Sequence, residues 1–129
     1  MSNSVECVLR VFGHKTVRKK FERCVKTKFE KFSFECITPK EADLMWRFKN
    51  LGVLHYPKNV KLDKNLNCHE YTFDSELVAP LIALKALSKV FNDLIFDLEY
   101  TSKEYEGRFI YMNGETFEEE LKEVIEEAA

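Results

Sequence analysis

Residues 5–12, V-E-C-V-L-R-V-F, alternate Val5, Cys7, Leu9 and Val11 with Glu6, Val8, Arg10 and Phe12. A side-chain period of two is the signature of a β-strand, and one side of this strand is wholly apolar, so the chain must build a sheet with a buried face. The alternation returns at residues 32–37, where Phe32, Phe34 and Cys36 share a side, at residues 69–73, and at residues 94–100, where Leu94, Phe96, Leu98 and Tyr100 do. With 45% hydrophobic residues in a chain of 129, there is enough apolar material for the core of one domain spanning residues 1–129.

Between these stretches the apolar spacing lengthens to three or four residues, the period of a helix. Thr16 is placed to cap a helix with Val17, Phe21, Cys24, Val25 and Phe29 on one side and Arg18, Lys19, Lys20, Arg23 and Lys26 on the other. Thr38-Pro39 closes the second strand, because the residue before proline is pushed away from helix. Pro39 then opens a short helix with Leu44, Phe48 and Leu51 on one stripe and Gly52 as a left-handed cap. Residues 53–66 read as an irregular connection with a short extended piece at 60–63. Pro80 opens a third helix carrying Leu81, Ile82, Leu84, Leu87, Val90 and Phe91. Residues 108–112 form a hairpin with residues 94–100. Asn113-Gly114 turns the chain into a final helix reaching Glu127, with a capping box at Thr116 to Glu119 and Phe117, Leu121, Val124 and Ile125 as its apolar side.

Removing the short helix, the extra hairpin strand and the C-terminal helix from this order leaves βαββαβ. That is the split βαβ, or ferredoxin-like, pattern: α+β, with an antiparallel sheet covered on one side by two helices. The segments F-S-F-E-C-I-T-P, W-R-F-K-N-L-G, F-D-S, the stretch from Pro80 to Leu98 and R-F-I-Y-M-N-G-E together span nearly the whole chain. In these segments the chain resembles the YubB-like ferredoxin-like domains encoded mainly by phages, plasmids and prophages. The resemblance implies the fold and a mobile-element origin, and brings no chemistry with it. Where that family commonly has a polar residue and a second tryptophan after its N-x-G, this chain has Val53, Leu54 and His55.

The longest run without charge, Leu77 to Leu84, is far shorter than the roughly 20 apolar residues of a membrane helix. Glu6 and Arg10 interrupt the place where a secretory signal carries its apolar run, so the expectation is a soluble protein of the cytoplasm, or of a host cytoplasm if phage-encoded. The net charge of -2 conceals a basic first part, with 12 Lys/Arg against 6 Asp/Glu in residues 1–50, and an acidic last part, with 5 against 13 in residues 76–129. Such halves either present opposite faces to partners or meet within the fold.

Cys7, Cys24, Cys36 and Cys68 form no C-x-x-C pair and suit small buried hydrophobes, so neither a metal nor a cofactor is expected. No nucleophile elbow, phosphate-cradling loop or H-E-x-x-H helix is present, and a non-enzymatic role follows as the expectation. The first functional reading is a protein-binding module that occupies a host protein or complex, for example inhibiting a defence or regulatory protein. Trp46, Phe48 and Tyr56 would be its contact residues, since interfaces favour aromatics at their centres; the competing reading is that Trp46 and Phe48 simply anchor the short helix. The alternative is nucleic-acid binding, through the sheet by Phe12, Tyr71 and Phe73 or through the basic face that includes Arg18, Lys19 and Arg23. Self-association through an uncovered sheet face or edge strand is the remaining partner expectation.

Overall fold

The computed structural model describes residues 4–123. Among the described residues six strands form one antiparallel sheet: β1 (Ser4–Phe12), β2 (Lys58–Lys64), β3 (Cys68–Glu76), β4 (Ile95–Thr101), β5 (Tyr105–Met112) and β6 (Glu115–Glu123). Their order across the sheet is β2-β3-β1-β4-β5-β6, and the helices are α1 (Lys15–Val25), α2 (Leu44–Leu51) and α3 (Leu81–Val90). The class is α+β, consistent with a ferredoxin-like arrangement.

β1 lies inside the sheet because its apolar side has partners on both flanks: Leu9 stands opposite Tyr71 of β3 and Leu98 of β4, and Val11 opposite His69 and Phe96. All of these side chains are buried beneath the helices. Phe21 of α1 is the hub, meeting Phe32, Tyr71, Phe91 and Phe96 edge-on at 5.3–6.3 Å, the geometry that aligns a positive ring edge with a negative ring face.

Several sequence expectations change. Residues 32–37 are not a strand. They form a loop ending in a 3₁₀ turn, Glu35–Ile37, and the alternation records two plugs, Phe32 and Phe34, both fully buried. Cys36, on the opposite side of the turn, is exposed rather than a buried hydrophobe. The strand position beside β3 is filled instead by β2, whose sequence K-N-V-K-L-D-K is polar because it lies at the sheet edge. The extended piece anticipated at 60–63 lies inside it.

The final helix is replaced by β6. Asn113 and Gly114 both have positive φ, 52° and 74°, the backbone of the two-residue turn that returns a strand antiparallel to itself. Sheet pairing with β5 then overrides the helical preference of a glutamate-rich segment. Residues 124–127 of that expected helix lie outside the described residues.

Caps also move. His14, not Thr16, caps α1, its Nδ1 accepting from Thr16 N at 3.2 Å. Asp43, not Pro39, begins α2, its Oδ1 accepting from Trp46 N at 2.8 Å, while Gly52 ends the helix in the left-handed region as anticipated.

Candidate functional site

α2 is apolar around most of its circumference, and it lies on the surface. Leu51 points inward and is buried, and Trp46 is half-buried against the core. Leu44, Met45 and Phe48 face solvent, exposed at 58%, 61% and 62%. The helix is held firmly: Asp43 caps its start, Asn50 Nδ2 donates to Trp46 O at 2.9 Å, and Gly52 lies against α3. A Cβ built on Gly52 would stand 3.3 Å from Ile82 Cδ1, so the end of α2 meets the partly exposed Ile82 and extends the apolar surface onto α3.

The three aromatics expected to make contact are therefore gathered around α2 but do different things. Phe48 faces outward. Trp46 divides its surface between core and exterior. Tyr56 is partly buried, edge-on to Phe34 at 6.4 Å and covered by the Arg47 guanidinium at 5.2 Å, so it supports the loop after α2. Leu44, Phe48 and Leu51 share one stripe of α2 at i, i+4 and i+7, but only Leu51 of the three is buried, and Leu44 and Phe48 are exposed. Met45 and Ile82 were missed as surface residues. The available signal was α2 itself, since a short helix with five apolar residues in L-M-W-R-F-K-N-L has more apolar surface than one buried stripe can use.

A second apolar feature opens beside the start of α3. A cavity of about 250 Å³ is lined by Val5, Leu77, Val78, Leu81, Tyr105 and Leu121.

The basic face of α1 is thinner than the sequence suggests. Arg18 is 4% exposed, and its guanidinium donates to Gly13 O, Asn65 O and Leu66 O at 2.9, 3.3 and 3.0 Å, tying α1 to the β2–β3 turn. It is a structural residue and not a surface contact. Lys19, Lys20, Arg23 and Lys26 remain exposed.

Tyr71 and Phe73 point into the core, so the outward aromatics needed for base stacking on the sheet are missing from β3. The open side of the sheet carries ion pairs instead. Arg10 bridges Glu70 at 3.0 Å and Glu99 at 2.9 Å, and Arg108 binds both Asp97 oxygens at 3.1 and 2.9 Å. That fork raises the Arg108 pKa still further above its ordinary value. Acidic residues outnumber basic ones on this side, which repels a polyanion.

Burial pushes the Cys7 thiol up to about 12, with the Asp74 carboxylate adding to the shift. Cys36 is raised to about 12 by partial burial and by its hydrogen bond with Cys24. The buried Cys7 thiol is thereby held in the unreactive protonated form at neutral pH. His69, buried on β3, has its pKa lowered by burial and by Arg18 and Lys64, with Glu22 opposing. Among the described residues no group of three or more His, Cys, Asp or Glu is placed to hold a metal ion.

No family model matches the chain, and no curated protein matches it either. Among solved structures it is similar to the crystal structure of protein api92 from Yersinia pseudotuberculosis, of the family DUF1281, with a TM-score of 0.54 at 16% identity. The match covers 70% of this chain and 33% of that one, so the chain spans about a third of the neighbour's length. Likeness at that identity concerns the fold alone. Among the described residues, no helix is long and apolar enough to cross a membrane.

Proposed function

We propose that this chain is a non-enzymatic protein-binding module built on a ferredoxin-like βαββαβ frame, with α2 inserted before β2 and β5–β6 added as a hairpin. The observation that carries the reading is the outward trio Leu44, Met45 and Phe48 on a helix capped at both ends. A rigid helix presenting large apolar side chains loses little conformational freedom on docking, and desolvating such side chains supplies binding energy. The partner is a protein with an apolar groove. The mobile-element origin implied by the resemblance fits a host protein as that partner, and a cytoplasmic setting.

Capture from host lysate by the tagged wild type and by Phe48→Ser, with and without nuclease and at two salt concentrations, tests the reading. The expected result is a protein retained through nuclease and high salt by wild type, and lost with Phe48→Ser while the circular dichroism spectrum stays unchanged. Equal capture by both chains would sink α2 as the contact face. Recovery of salt-sensitive nucleic acid, lost when Lys19 and Arg23 are reversed to Glu, would favour the nucleic-acid alternative.

A further inference from the structure

Among the described residues the sheet ends on β2 at one edge and on β6 at the other, and these two edges carry opposite charge. β2 has three lysines, Lys58, Lys61 and Lys64, against Asp63. β6, at the other edge, has five glutamates against Lys122. A strand edge presents unpaired N–H and C=O groups that invite another strand, and edge charges ordinarily block pairing with an edge of the same sign. Here the same charges that oppose β2–β2 and β6–β6 pairing favour β2 against β6. We propose that β6 of one copy adds to β2 of a second copy, continuing the sheet from molecule to molecule.

The topology permits this without inverting either copy. All five neighbouring pairs are antiparallel, so β2 and β6 run in opposite directions. A second copy placed edge to edge in the same orientation therefore offers β2 antiparallel to β6, with both helix layers on one side. Irregularities fix the usable length. β2 shifts register between Lys58 and Lys61, and β6 does so opposite Ile110 and Tyr111. The regular edges are Lys61–Lys64 and Glu118–Glu123. β6 also leaves Phe117 and Leu121 exposed on its own surface, apolar area that a neighbouring copy's edge would reduce. A contact between two different edges is heterologous and leaves a free edge at each end, so growth depends on concentration.

Sedimentation velocity across a range of concentrations, at low and high salt, reads the outcome. The wild type is expected to form dimers and larger species at low salt, with association weakened roughly tenfold or more by high salt, because several exposed ion pairs are screened together. Lys58→Glu with Lys61→Glu makes both edges acidic, and Glu118→Lys with Glu120→Lys and Glu123→Lys makes the β6 edge basic. Each variant alone is expected to stay monomeric, and an equimolar mixture of the two to associate. Hydrogen exchange on the wild type is expected to slow at β2 and β6 as concentration rises, a readout that needs no variant to fold. A wild type that is monomeric throughout at low salt would overturn the proposal. So would association that charge reversal leaves unchanged, or that slows exchange only at α2.

Discussion

Phe32 and His69 show how single residues set the stability of this fold. Phe32 sits at the junction of the loop and the sheet, edge-on to Tyr71 at 5.1 Å and Phe73 at 5.2 Å, with no exposed surface. Truncation to Ala removes a ring that the surrounding rings cannot collapse to replace, and a loss of about 3–5 kcal/mol is expected in urea unfolding. A loss below 1 kcal/mol, on the scale of a surface substitution, would mean the loop does not plug the core. His69 sets a pH dependence. Its folded pKa lies below the ordinary 6.5, so between the folded value and 6.5 the unfolded chain binds the proton and the native chain does not. Its contribution is complete above 6.5 and is lost as pH falls through the folded pKa. Arg18 and Lys64 work in that direction, and Glu22, whose Oε1 lies 4.0 Å from His69 Nδ1, works against it. Urea midpoints at pH 7.5 and 5.5 are expected to drop more for wild type than for His69→Gln. Parallel drops would assign the pH dependence to other groups.

At the scale of elements, the β5–β6 hairpin turns on two residues. Asn113→Val puts a β-branched side chain at φ 52°, where such residues are strained, and Gly114 at φ 74° leaves no freedom to compensate. Loss of strand signal and faster hydrogen exchange confined to β5 and β6 are expected, while β1, β3 and β4 keep their protection. Protection unchanged in β6 would show that pairing, not the turn, dictates the hairpin. The same hairpin shows which part of the fold is legible in sequence. β1, β3 and β4 pack between neighbours over one buried face, so their residues alternate, and reading the alternation places them. β6 is exposed along its whole length, so no burial pattern marks it, and its glutamates imitate the solvated side of a helix. The Asn-Gly pair was the only local sign of its true form. β2 was faint for the related reason that an edge needs few apolar residues. Phe32 and Phe34 misled in the opposite sense, because two core plugs one residue apart copy the spacing of a strand. At α2 the aromatic content pointed to the right element. Which side faced outward depended on the contact of Gly52 with Ile82, thirty positions along the chain, which no local pattern contains.

Across the whole molecule, the basic first part and acidic last part of the sequence do not simply cancel. Arg10, from the basic part, is drawn into the sheet between Glu70 and Glu99, and Arg18 is spent on backbone carbonyls. What remains is a basic patch on α1 at Lys19, Lys20, Arg23 and Lys26, and an acidic open side of the sheet. The polarity is therefore between faces, and it predicts where a polyanion can touch. Titration of the labelled protein with a short single-stranded oligonucleotide at low salt is expected to shift amide resonances only around those α1 residues. Weakening should follow added salt, as for contacts made to phosphates alone. Phe12→Ala should leave the titration unchanged, since Phe12 stands at the end of β1 beside a strand whose aromatics face inward. Resonance shifts on β1 and β3 together, with loss of affinity in Phe12→Ala, would show base stacking on the sheet despite its charge. The acidic side would then need a cation or a local rearrangement of the Arg10 ion pairs to admit the nucleic acid, and Arg10→Gln would alter affinity more than Lys19→Gln.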